Sequence, residues 1–308
     1  MLSAYLLVSH GSSDPRHKAG LSRIADTMRQ SLDWSLSDDF QTAPMASFAS
    51  GMAQSRYTPA YPVSKAFATR SPKVPCCSSL PPAPVVGTAT LEATHLPLAQ
   101  QIAMFAQRAT AQGFRRVVIV PLFLLPGIHV KEDLPREIAT AQSLIPPDLE
   151  LLCVPHLGSH ACFKRFVASR LKATTADRCL LLAHGSRRRA GNRSVRQLGT
   201  TLDVDVAFWA VDPDLETQVI EMMQQGYQHI VIAPYFLFPG SITDAITRRT
   251  EDLAERLSRL SLRLLAPLGT SAELGRAVAE LALSASQSVP MPTWERDHLS
   301  IAESGITA

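Results

Sequence analysis

Three side chains able to bind a divalent metal each stand just beyond a short apolar run in the first 130 residues. His10 closes Tyr5-Leu-Leu-Val-Ser-His10, Glu92 follows Val85-Val-Gly-Thr-Ala-Thr-Leu91, and His129 lies past Val117-Val-Ile-Val-Pro-Leu-Phe-Leu-Leu-Pro-Gly127. Neutral imidazoles and a carboxylate hold divalent ions exchangeably, and the same groups accept protons near neutral pH. The chemistry they suit is metal transfer coupled to proton removal. Taken singly, His10 reads as a turn histidine and Glu92 as a carboxylate favoured at a helix start. The set of three makes a candidate site.

The elements that must position them occur twice. Tyr5-Leu-Leu-Val-Ser-His-Gly-Ser12 returns as Leu180-Leu-Leu-Ala-His-Gly-Ser186, placing His184 at the position of His10. Gly113 to Gly127 returns without a gap as Gly226 to Gly240, and Leu151-Leu-Cys-Val-Pro155 with Leu157-Gly158 returns as Leu264-Leu-Ala-Pro267 with Leu268-Gly269. Self-similarity on this scale means two homologous units.

Within each unit, short buried apolar runs alternate with helical patterns, the signature of an α/β fold with a parallel sheet covered on both faces. Strands are expected near 4–9, 85–91, 116–122 and 150–155, then near 179–183, 204–210, 229–235 and 262–267. Helical spacing links Leu98, Ile102, Phe105 and Ala109, and again Leu215, Val219 and Met222/Met223. In such sheets ligands bind beyond the carboxyl ends of the strands, so His10, Glu92 and His129 fall on one edge.

Unit one, residues 1–172, carries about fifty extra residues, roughly 32–84, which are Ser-, Pro- and Ala-rich and read as a disordered insert. Unit two spans 173–285, and 286–308 read as a flexible tail. Unit two keeps His184 but has Ile242 where unit one has His129, and Phe208, Trp209 or Ala210 where it has Glu92. Its site is degenerate.

Ser9-His10-Gly11-Ser12, Leu91-Glu92, and Pro121-Leu-Phe-Leu-Leu-Pro-Gly-Ile-His129 leading to Asp133-Leu-Pro135 resemble the sirohydrochlorin chelatase family. This is the CbiX/SirB group of class II chelatases, in its long, internally duplicated form. The resemblance implies two chelatase-like domains of flavodoxin-like strand order and ATP-independent insertion of Co²⁺ or Fe²⁺ into sirohydrochlorin, for cobalamin or siroheme synthesis. It implies no cofactor beyond the metal substrate, and a monomer that is an internal pseudo-dimer. His10 and His129 are then the pair that binds metal or takes pyrrole protons, with Glu92 assisting. The Pro126-Gly127 turn lets the His129 loop approach a flat macrocycle.

Arg187-Arg188-Arg189 could hold the substrate's carboxylates, since guanidinium suits bidentate carboxylate recognition; a solvated basic loop is the competing reading. His95, His156, His160 and His229 read as surface or capping residues. The His-Gly-Ser turns could bind phosphate, but neither a GxGxxG nor a GK[ST] sequence is present. A carrier that holds metal or tetrapyrrole without turnover is the alternative class of function.

Composition excludes other classes. A net charge of +3 lacks the dense basic runs of a nucleic-acid footprint. Five cysteines without recurring spacing suggest neither a disulfide framework nor a zinc site, and fit a reducing cytoplasm. The apolar start stops at His10, too early for a signal peptide, and no apolar stretch reaches the roughly 20 residues of a membrane span.

Overall fold

The computed structural model describes residues 3–36 and 83–287. Each half opens on a strand whose alternate residues face opposite sides of a sheet. In the first half the strands are β1 (Ser3–Ser9), β2 (Val86–Thr90), β3 (Arg116–Pro121) and β4 (Glu150–Cys153), joined as an all-parallel sheet in the order β2-β1-β3-β4. In the second they are β5 (Arg178–Ala183), β6 (Asp205–Phe208), β7 (His229–Pro234) and β8 (Ser261–Leu264), ordered β6-β5-β7-β8. Both sheets thus share one order, the doubled α/β arrangement expected from the repeat.

Helices α1 (Pro15–Leu36), α2 (Leu98–Ala111), α3 (Leu134–Gln142) and α4 (Ala161–Lys172) flank the first sheet, and α5 (Arg189–Leu202), α6 (Leu215–Gln224), α7 (Ser241–Arg256) and α8 (Ala272–Gln287) the second. Period-two patterning assigns the layers. Ala4, Leu6 and Val8 pack outward with Ile102 of α2 and Leu134 of α3. Tyr5 and Leu7 face inward, into a core shared with Ile24, Phe163, Leu181, Val195 and Val278. Leu180 and Leu182 turn away from it, toward Val219 of α6 and Ile246 of α7. The inner helices α1, α4, α5 and α8 therefore form a common layer between two sheets, and one hydrophobic cluster joins both halves.

Local signals explain the helix starts. Pro15 occupies the first position of α1, where its missing N–H costs nothing, and the Asp14 carboxylate accepts from the Arg16 N–H at 2.9 Å. Asp214 caps α6 in the same way, accepting from the Thr217 N–H at 2.8 Å.

Packing carries two helices further than composition suggests. Leu32, placed by the sequence at the start of the insert, is buried in α1, which runs on to Leu36; α8 likewise continues to Gln287, past the expected start of the tail at 286. Pro84, at the insert's other end, is buried too. Burial of Leu32 outweighs the modest helix propensities of Asp33, Trp34 and Ser35. The remainder of the insert and tail, residues 37–82 and 288–308, lies outside the described residues, as do Cys76 and Cys77. Cys153, Cys162 and Cys179 are free thiols. No helix among the described residues is long and apolar enough to cross a membrane.

Candidate metal centre

The first sheet's hydrogen-bond ladder continues one step past its strands. The Leu91 N–H donates to the Ser9 carbonyl at 3.0 Å and the Glu92 N–H to the His10 carbonyl at 2.8 Å, which sets Glu92 beside His10. Gly11 makes this approach possible. Its φ of +97° suits glycine, and a Cβ there would lie 2.1 Å from the Glu92 carbonyl oxygen. The His-Gly-Ser turn is therefore a packing requirement as much as a chemical one.

His129 arrives from the other side of β1. The Leu122 N–H donates to the Val8 carbonyl at 2.7 Å, and the loop then turns into a π-helical segment, His129–Asp133, before α3. Single π turns recur at functional sites because they displace one side chain from the regular helical register. A Cβ at Gly127 would meet nothing within 4 Å, so that glycine leaves the turn open rather than filling a tight contact.

His10, Glu92 and His129 converge: one ligand atom from each lies within 4.8 Å of the others. The two Nε2 atoms are 3.1 Å apart with rings nearly perpendicular, and His10 Nδ1 lies 3.9 Å from a Glu92 oxygen. Two nitrogens bound at about 2.1 Å to a tetrahedral ion stand about 3.4 Å apart, so a small opening of the histidine pair admits a metal.

Asp133, quoted above only as part of a motif, is engaged here. His129 Nδ1 contacts its carboxylate at 2.8 Å, and Arg136 donates to the other oxygen at 2.7 Å. The hydrogen bond from His129, followed by that from Arg136, holds the Asp133 carboxyl below its usual range. With the His129 proton kept on Nδ1, the Nε2 lone pair faces His10, the arrangement in which a carboxylate orients a metal-binding imidazole. The i,i+4 spacing of His129 and Asp133 was the available signal.

The second half repeats the ladder and keeps His184, but lacks the counterparts of Glu92 and His129. Trp209 N–H donates to the Ala183 carbonyl at 2.8 Å and Ala210 N–H to the His184 carbonyl at 2.9 Å, which makes Ala210 the counterpart of Glu92. Asn192 bridges the backbone of Ser186, accepting from its N–H at 2.7 Å, so that amide is not free for a phosphate. Arg187 and Arg188 are exposed beyond β5, and among the described residues their side chains make no hydrogen bond or ion pair, with the triad or anything else. Arg189 is the first residue of α5. His160 caps α4, accepting from the Cys162 N–H, and His229 pairs with Asp177 at 3.2 Å.

The halves meet next to the site. The Arg16 guanidinium forks onto Asp244 of α7 at 2.9 and 2.7 Å while also bonding Asp14, and Phe238 sets its edge against the His17 ring, 4.5 Å between centroids. His17 in turn lies 3.3 Å from the hydroxyl of Ser9, the residue before His10.

The CbiX family model matches residues 77–174 and again 178–285, more than half of the chain and once in each half. The chain belongs to the CbiX family. Among its relatives, the sirohydrochlorin ferrochelatase of Priestia megaterium is 28% identical over 156 residues, covering 46% of this chain and 58% of that protein. The chloroplastic sirohydrochlorin ferrochelatase of Arabidopsis thaliana is 34% identical over 104 residues, covering 30% and 46%. The chain thus spans about half the length of these relatives. The CbiX-family fold is shared with SirB from Bacillus subtilis with Fe³⁺, at a TM-score of 0.61 and 20% identity over 94% of this chain and 98% of that one. SirB from subspecies spizizenii in complex with cobalt gives 0.59 and 19%, over 93% and 96%.

Proposed function

We propose that this chain is a sirohydrochlorin chelatase that inserts a divalent metal, Co²⁺ or Fe²⁺, into sirohydrochlorin without ATP. The observation that carries this reading is the convergence of His10, Glu92 and His129 on one sheet edge in a CbiX-family fold.

In this reading the metal is a substrate held by His10 Nε2, His129 Nε2 and a Glu92 oxygen. The macrocycle lies across the edge, and as its nitrogens take the ion its two core N–H protons leave. Glu92 and the released imidazoles are the acceptors in reach. Asp133 keeps His129 oriented throughout. Arg187, Arg188 and Arg189 serve as anchors for the substrate's carboxylates. Such a ligand set accepts Co²⁺, Fe²⁺, Ni²⁺ and Zn²⁺ in their intrinsic order of affinity, so it favours neither the cobalamin nor the siroheme pathway.

Turnover separates this enzyme from a carrier. Incubated anaerobically with excess sirohydrochlorin and Co²⁺ or Fe²⁺, the purified chain is expected to yield many metallated products per molecule. A yield that stops at one per chain would establish the carrier instead.

A further inference from the structure

The metal-binding side chains are open to solvent, 49%, 57% and 30% exposed for His10, Glu92 and His129. A flat ligand that receives metal from them must lie over the carboxyl edge and touch whatever the neighbouring loops present. Among the described residues four large apolar side chains are exposed: Leu96, Met104, Ile128 and Leu144. Two of them sit in the very loops that carry the triad. Ile128 immediately precedes His129, and Leu96 ends the Glu92 loop ahead of α2. Met104 lies in the body of α2 and Leu144 beyond the far end of α3, away from that edge.

Scattered surface apolar residues are ordinary, so position and rigidity must distinguish these two. The Leu96 carbonyl accepts from the Gln101 amide at 2.9 Å, and that same side chain bonds both the N–H and the carbonyl of Thr90 at the end of β2. Leu96 is thereby tied to the strand that leads into Glu92. Ile128 is bracketed by the Gly127 carbonyl, which accepts from the N–H groups of Val130 and Lys131, both at 3.1 Å. The backbone at both positions is therefore pinned by hydrogen bonds, and both side chains are exposed. Their loop neighbours Thr94, His95, Lys131 and Glu132 are polar.

We infer that Ile128 and Leu96 form an apolar platform for the face of the tetrapyrrole, beside the metal triad. The macrocycle has an apolar π face and a carboxylate rim, so its face requires apolar contact close to the metal while its rim takes guanidinium. This inference rests on the chelatase reading and names what recognises the macrocycle independently of the ion.

The test compares Ile128→Ser, Leu96→Ser and the pair with Met104→Ser, a similarly exposed apolar residue off the edge. Metal-free sirohydrochlorin is titrated anaerobically by absorbance, and Co²⁺ alone by calorimetry. Each platform change is expected to weaken macrocycle binding roughly tenfold, from partial loss of one aliphatic contact. The pair should weaken it further. KM for the macrocycle rises while kcat holds, the mark of lost uniform binding. Co²⁺ affinity stays at the parent value, and Met104→Ser changes nothing. Parent-like macrocycle binding by the pair would overturn the platform alone; so would an equal loss of Co²⁺ affinity, which would mean the loops merely shape the triad. A parent protein that neither binds nor metallates sirohydrochlorin would overturn the chelatase reading as well.

Discussion

His129 and Asp133 are joined at 2.8 Å across a single π turn, so the carboxylate that orients the imidazole belongs to the same short segment as the imidazole. Asp133→Ala removes that partner and lets the ring choose either tautomer. Metal affinity, measured by Co²⁺ titration, is expected to fall about 10–100-fold, as for other outer partners of metal-binding histidines. The parent melting temperature should be nearly retained, because both side chains are partly exposed. Unchanged affinity would remove Asp133 from the site.

Both halves keep a histidine after their first strand, but among the described residues only His10 stands in a cluster with a second histidine and a carboxylate. His10→Ala and His129→Ala are each expected to cost about 10²–10⁴-fold in turnover, and His184→Ala far less. All three variants should melt with the parent, so that a lost turn contact is not read as lost chemistry. Equal losses from His10 and His184 would mean one shared cleft served by both halves.

Burial, and then the neighbouring His10, depress the His17 pKa below the ordinary histidine value of about 6.5, against a weaker opposing pull from Asp14. The unfolded chain therefore binds more protons than the folded one between that depressed pKa and 6.5. Stability from this group is complete above pH 6.5 and is lost as pH falls through the folded pKa. Melting temperatures of the parent and His17→Gln, followed from pH 7.5 to 5, should differ in slope, with the parent falling more steeply. His156, also depressed by burial, contributes the same sign to both proteins and drops out of the comparison. Parallel curves would show that His17 does not titrate in this window.

Gly275 lies where α8 crosses α1. A Cβ there would sit 2.5 Å from Thr27 Cβ and 3.2 Å from the Met28 backbone nitrogen. Helix propensity alone favours Gly→Ala by about 1 kcal/mol, whereas overpacking costs about 1–3 kcal/mol. The obstructing atoms are backbone or adjacent to it and cannot swing aside. Gly275→Ala is therefore expected to destabilise, read as a lower denaturant midpoint at unchanged m-value. A higher midpoint would show that the two helices can separate at little cost.

Much of the site was legible locally. Val-Val-Ile-Val before Pro121 and Leu-Leu-Val before Ser9 are runs that only a doubly covered strand buries, and a residue just beyond such a strand lies at its carboxyl edge. His10, Glu92 and His129 could be assigned to one edge on that ground, and Ile242 set against His129 by the ungapped repeat. The helix ends were less legible. Asp33, Trp34 and Ser35 carry little helical preference of their own, and α1 reaches Leu36 because Leu32 is buried against other elements.

By itself, then, the sequence determined the repeat, the strands and the edge on which the candidate ligands stand, since these follow from period and apolar runs spanning a few residues. Only the tertiary structure decided the 3.1 Å approach of His10 to His129, the engagement of Asp133 by both His129 and Arg136, and the pairing of Arg16 with Asp244. These depend on where a loop ends and which way a side chain points after two sheets have packed on one helical layer. Strand patterning sets direction along the chain, but distances across the edge are set by packing.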